Sequence, residues 1–331
     1  MKSLYPAIQP YKIHRLRVDH AVGDAHHTLY VEECGRPDGT PVVFLHDGPG
    51  LGCSEQDRRL FDPNYFRIVL FDQRGAGRSK PHASTTANRL DDLLDDLDYI
   101  RAELGIQRWL MVGGGWGTTL ALASTRRDPS VVLGLVLYNV FLGRAQDIDW
   151  LWTGAPRLAP EAWANLMQPL GEAERADPLA AYHTRLHGPN ELARMAAAKA
   201  WALWESALAG HGQSLLDRYR HPATAVGLAC LRSHYLVNGC FLGDEPLLEG
   251  PQLGALPAVI LHQRRHLLHP PDQAWLLAQA WGQAELDWID GPSMDGNQGD
   301  ALLRAVTEGI RRVYRKLPPD AQASEPDNDD L

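Results

Sequence analysis

The residues best placed for chemistry lie in Gly113-Gly114-Gly115-Trp116-Gly117, where the apolar run Trp109–Val112 meets the small-residue helical pattern Thr118–Ala123. A strand that turns sharply into a helix through glycines lifts its central residue above the sheet, which is a mount for a nucleophile. The central residue here is Gly115, which has no side chain to attack with. A second glycine-rich loop, His46-Asp47-Gly48-Pro49-Gly50, follows another apolar run. Read by itself, Asp47 in that loop is a solvated turn side chain.

Other ionisable groups need weighing. His262, His266 and His269 cluster in the sequence, and imidazole is the commonest metal ligand. Their spacing straddles a strand end and a loop rather than one helix face, and no carboxylate motif accompanies them. They read as loop histidines near solvent, and no metal or cofactor is expected. Thr118 lies a turn into the helix and should point away from the elbow, while Ser293 has no identifiable base. Cys34, Cys53, Cys230 and Cys240 form no C-x-x-C pair and read as packing residues.

The elements that must position these groups alternate. Strand-like runs occur at Thr28–Glu33, Pro41–His46, Phe66–Phe71, Trp109–Val112 and Leu133–Tyr138, and Leu90, Leu93, Leu94, Leu97, Ile100 and Leu104 recur at helical spacing. Such alternation predicts an α/β fold with a doubly wound, mostly parallel sheet. From Phe141 to Pro246 strand patterns vanish and helical periodicity dominates, clearest over Leu192–Leu208. Alternation resumes with a strand at Ala258–His262, a helix around Gln273–Trp281, a strand at Leu286–Ile289 and a closing helix from Ala301 to Tyr314. The expected organisation is a core of residues 1–140 and 247–316, a helical cap of 141–246, and a disordered acidic tail of 317–331.

The 331 residues carry a formal net charge of −9, with 44% hydrophobic and 22% charged residues. That balance gives no electrostatic footprint for nucleic acid. No run approaches a membrane span and no signal-peptide pattern opens the chain, so a cytoplasmic protein is expected.

Taken together, the loop at His46–Gly50, the turn Asp72-Gln73-Arg74-Gly75-Ala76-Gly77-Arg78-Ser79, the elbow, and the segments Trp201–Glu205 and Tyr235–Gly239 resemble the proline iminopeptidase family, α/β-hydrolases that remove an N-terminal proline. The loop resembles that family's H-G-G-P-G and the turn its D-Q-R-G-x-G-x-S, over about Leu4 to Tyr314; the resemblance implies that the loop supplies a backbone N–H to an oxyanion, whose charge the Asp47 carboxylate would oppose. The resemblance implies an α/β-hydrolase fold with an inserted helical cap. It also implies triad positions at Gly115 for Ser, His266 for Asp and Pro292 for His, and an oxyanion loop formed by Asp47, Gly48 and Trp116. Glu205 matches an acidic residue that receives the substrate amine, whereas Arg232 stands where the family has a second acid. A Glu205–Arg232 pair would neutralise itself, or Arg232 would grip a carboxylate.

Acyl transfer by this route needs a nucleophile, a base and an orienting acid, and all three types are absent at those positions. The expectation is therefore a catalytically inactive member of the family. It would bind a small ligand, a peptide end or a protein partner, with Glu205, Arg232, Trp204, Tyr235 and His266 as contacts, and would form a homo-oligomer or pair with an active relative. The alternative is an enzyme repurposed for a lyase, cyclisation or isomerisation step through Asp47 and His266; residual aminopeptidase activity is the third reading.

Overall fold

A computed structural model describes residues 4–19, 26–210, 213–243, 247–248, 253–290 and 298–323. The strands are β1 (Lys12–Asp19), β2 (His26–Gly35), β3 (Thr40–Leu45), β4 (Phe66–Asp72), β5 (Trp109–Gly115), β6 (Val132–Val140), β7 (Ala258–Gln263) and β8 (Glu285–Ile289). They form one sheet in the order β1-β2-β4-β3-β5-β6-β7-β8, antiparallel at β1-β2 and β2-β4 and parallel beyond. This is the α/β-hydrolase architecture, and the short apolar runs form its strands because both faces are covered. Val43, Leu45, Val69 and Phe71 face one helical layer, while Val42, Phe44, Ile68 and Leu70 face the other.

The first layer includes α1 (Leu90–Glu103) and α2 (Trp116–Arg127). Between β6 and β7 the described residues contain helices and no strand. These are α3 (Ala145–Thr153), α4 (Ala155–Leu158), α5 (Pro160–Met167), α6 (Pro178–His187), α7 (Glu191–Ala209), α8 (Gln213–Arg220) and α9 (Pro222–Val237). Trp152, Trp163, Trp201 and Trp204 knit this helical region together, with ring centroids 5.5 to 6.3 Å apart. After β7 come α10 (Asp272–Trp281), β8 and α11 (Gln298–Lys316). The last of these buries Val306, Ile310 and Val313 on the second face.

Two differences from expectation are local. β1 has no counterpart in the pattern reading, because Lys-Ile-His-Arg-Leu-Arg-Val-Asp is largely polar and becomes a strand only by pairing with β2 at the sheet edge. Residues 317–323, assigned to the disordered tail, are packed: Leu317 is buried and the Ala321 carbonyl accepts from Thr40 Oγ1 at 2.8 Å. Residues 324–331 lie outside the described residues. Among the described residues no helix is long and apolar enough to cross a membrane.

β3 pairs with β4 on one side and β5 on the other. The chain therefore leaves β3 and β5 in opposite directions, and a crevice opens at their carboxyl ends, where open α/β sheets bind ligands. The His46–Gly50 loop and the Gly115 elbow both begin there.

Candidate functional site

Gly115 ends β5 with φ 52° and ψ −120°, a left-handed backbone that glycine adopts at little steric cost. The turn closes tightly because Gly117 has no Cβ; one there would lie 2.1 Å from the Leu45 carbonyl oxygen. α2 thus starts directly against the end of β3, and the Trp116 N–H points into the crevice.

The facing loop is held by a chain of hydrogen bonds. The Gln73 backbone N–H donates to His46 Nε2 at 3.0 Å, so the other ring nitrogen, Nδ1, carries the proton and donates to the Asp47 carbonyl at 2.8 Å. Burial holds this imidazole neutral, its pKa pushed down to about 4. Gln73 Oε1 accepts from the Trp116 indole at 2.9 Å, which ties the loop to the elbow. The result is a seat for one side chain: Asp47 Oδ1 accepts from its neighbour's Gly48 N–H at 2.7 Å and from the Trp116 N–H at 2.8 Å. Asp47 is thus not a freely solvated turn residue. Its carboxylate occupies the donors whose oxyanion it was expected to oppose, and the residue as a whole stays partly accessible.

The cap closes over this loop with two arginines. Arg218 of α8 donates to the Leu51 carbonyl at 2.9 Å, and Arg232 of α9 donates through Nη1 to the Gly48 carbonyl. Arg232 is 1% exposed, and its Nε stands 3.3 Å from Glu205 Oε1, poorly aligned for a hydrogen bond. Arg232 Nε and Nη2 have no acceptor among the described residues. Glu205 is buried too and accepts from the Trp201 indole at 2.8 Å. Two carboxylates therefore share one guanidinium. Burial raises the pKa of both Asp47 and Glu205, with Arg232 opposing the rise in each case.

Asp47, Gly48, Gly115, Trp116, Glu205 and Arg232 come together in this way. Tyr235 packs on Trp116 with ring centroids 4.7 Å apart, but its hydroxyl is committed to Asn88 Oδ1 at 2.9 Å. Trp204 faces Trp163 within the cap. Thr118 points back into structure, donating to the Gly115 and Phe141 carbonyls. His262, His266 and His269 are all buried, which corrects their reading as solvent-facing loop residues; after β7 the chain folds back under the cap instead of leaving the surface. His266 Nδ1 accepts from the His269 N–H at 3.1 Å. His269 stacks on His266 at 5.3 Å and packs 5.0 Å from Phe141, with neither ring nitrogen partnered among the described residues. Nothing in its local sequence marks His269 as buried; Gln73 lies inside a recognised motif, and its bridging role depends on contacts across the fold. Pro292 and Ser293 lie outside the described residues.

Residues 40–293 match a family model described as alpha/beta hydrolase fold. The chain is 42% identical over 314 residues to the proline iminopeptidase of Xylella fastidiosa, covering 92% of this chain and 99% of that one. It is 41% identical to the proline iminopeptidase of Arabidopsis thaliana, over 90% of this chain and 78% of that one. The chain belongs to the proline iminopeptidase family. A solved structure of a proline iminopeptidase-related protein from Thermus thermophilus superposes with a TM-score of 0.56 at 27% identity, covering 92% of this chain and all of that one.

This kinship overturns the expectation of an inactive protein. Relatives this similar over nearly their whole length are named for a peptidase activity. The expectation equated an absent side chain at Gly115 with an absent reactive group at the elbow. In the folded chain the space at the elbow is filled, because Asp47 reaches it from the loop after β3.

Proposed function

We propose that this chain hydrolyses the amino-terminal residue from short peptides, with the Asp47 carboxylate serving at the elbow in place of a hydroxyl nucleophile. The observation that carries the reading is the seat of Asp47: a carboxylate held by the Trp116 and Gly48 N–H groups against Gly115. Its raised pKa suits a general base, since a carboxylate that binds a proton more readily takes one from water more readily.

In this mechanism Glu205 receives the substrate's ammonium group. Water, polarised by Asp47, adds to the scissile carbonyl carbon and its proton passes to the carboxylate. Arg232 Nη2, a buried donor without an acceptor among the described residues, stabilises the oxyanion. The C–N bond then breaks, Asp47 returns the proton to the departing nitrogen, and the products are a free amino acid and a shortened peptide.

The test is release of nitroaniline from prolyl-4-nitroanilide by the purified chain and by Asp47→Asn. The amide keeps an oxygen for both N–H donors but cannot act as the base. Turnover by the parent chain that disappears in a natively folded Asp47→Asn supports the reading. Release no greater than that of the variant overturns it.

A further inference from the structure

His183 and His187 lie one turn apart on α6 and so share a face of that helix. That face meets α9, where both rings aim at a single atom. His183 Nδ1 and His187 Nε2 each stand 3.4 Å from Ser233 Oγ, and the two ring centroids are 4.3 Å apart. The local sequence does not show this grouping, because the third atom arrives on another helix, 46 residues beyond His187.

The spacing decides what these atoms suit. A hydroxyl and an imidazole that bond directly approach to about 2.7–3.2 Å, so 3.4 Å is long for both contacts. Two donors each about 2.1 Å from one metal ion, at a tetrahedral angle, stand about 3.4 Å apart. Ser233 gives its own hydrogen to the Cys230 carbonyl at 3.1 Å, which leaves the oxygen lone pairs for the side of the two rings. The Cys230 carbonyl, which the His187 ring also approaches, adds the negative end of its dipole.

Coordination needs neutral imidazole, and burial keeps both rings neutral. It lowers the pKa of His183 and takes that of His187 down to about 4, with His183 as a further cause. Solvent reaches the spot, since His187 is exposed and His183 half-buried above the buried Ser233. Arg194 of α7 acts on His187 as a like charge, which opposes a second cation and limits its affinity. His234, the next residue on α9, has its Nε2 on the Asn88 carbonyl at 2.9 Å. Among the described residues no group of three His, Cys, Asp or Glu is placed to hold a metal, so water must complete the shell.

We infer that His183 Nδ1 and His187 Nε2 bind a transition-metal dication of the Zn²⁺, Cu²⁺ or Ni²⁺ class, with Ser233 Oγ as a weak third donor. Imidazole suits these ions, whereas Mg²⁺ and Ca²⁺ find too few oxygens here. The metal joins α6 to α9 at the residue after Arg232, and so braces the helix that carries the guanidinium of the candidate site. Metal binding here is independent of the proposed hydrolysis.

The test is calorimetric titration of the untagged chain with Zn²⁺, beside His183→Gln, His187→Gln and Ser233→Ala. One equivalent should bind the parent chain, with affinity falling about tenfold or more in each histidine variant and less in Ser233→Ala. Electron paramagnetic resonance of the Cu²⁺-loaded parent should show two coupled nitrogens, and one in either histidine variant. Zn²⁺ should raise the Tm of the parent and not that of His187→Gln. The exposed position of His187 lets that variant fold, which circular dichroism checks. No binding to the parent, or unchanged affinity and an equal rise in Tm in His187→Gln, overturns the site.

Discussion

Asp47 Oδ1 lies 2.1 Å from the point that a Cβ on Gly115 would occupy, so the two residues claim a single volume. Glycine at one position and a carboxylate at the other are two halves of one packing solution. The backbone adds its own demand, because Gly115 sits at positive φ.

Gly115→Ala should therefore lower stability by roughly 1–3 kcal/mol, from overlap together with the backbone conformation. Combining it with Asp47→Gly removes the overlap and leaves only the backbone cost. Urea denaturation of both single variants and the double variant checks this. A double variant as unstable as the sum of the singles would show that the two positions do not share their space.

The ionisation of Asp47 sets a pH dependence. Burial raises its pKa, and the Arg232 charge and the Trp116 and Gly48 N–H groups oppose that rise. The base must be ionised, so kcat/KM should climb with pH through an inflection above the ordinary aspartate value of about 3.9. Stability runs the other way. The native state holds this proton more tightly than the unfolded chain, so the Asp47 contribution is fully present below the unfolded pKa and is lost as pH rises through the folded one. A pH–rate profile measured beside a pH–stability profile should show the opposed slopes, and Asp47→Asn should flatten the second.

Arg232 stands between the buried Glu205 carboxylate, the partly accessible Asp47 carboxylate and the Gly48 carbonyl. Truncating it leaves Glu205 without its counter-ion, and Arg232→Met should cost about 3–5 kcal/mol. Adding Glu205→Leu should return part of that loss, since the orphaned charge goes with it. Thermal denaturation of the three variants measures the coupling, and no recovery in the double variant would rule the pairing out.

His262 is fixed in one neutral form. Its Nδ1 accepts from the Val140 N–H at 3.1 Å, so Nε2 carries the hydrogen that the His269 carbonyl accepts at 3.0 Å. Burial pushes its pKa down to about 4. Because the unfolded chain takes up this proton first, stability is full above the ordinary histidine value and is lost as pH falls from about 6.5 towards 4. The loss is on the order of 3 kcal/mol by pH 4. His46, buried and depressed to about 4, adds a similar loss. NMR titration of the two imidazoles checks this: ordinary pKa values in the folded protein would contradict it.

The alternation of strands and helices is written in consecutive residues. Val42–Leu45, Phe66–Phe71 and Trp109–Val112 are largely apolar because both faces of their sheet are covered. The glycine elbow and the turn around Gln73 are legible for the same reason, since local backbone geometry dictates local composition. β1 escapes that reading because its strand state comes from an edge partner rather than from its own pattern.

The site's chemistry depends on distances that no local pattern carries. Asp47 meets the Trp116 N–H across 69 positions, and Arg232 meets the Gly48 carbonyl across 184. Read alone, Asp47 is a turn residue beside an empty elbow, and His269 a loop imidazole near solvent. Folding makes the first the occupant of that elbow and buries the second. Hydrophobic periodicity determines which segments form sheet and helix, whereas the closure of loop, elbow and cap onto one another determines which charges share a volume. Only that closure turns an absent side chain at residue 115 into a seat for the carboxylate of residue 47.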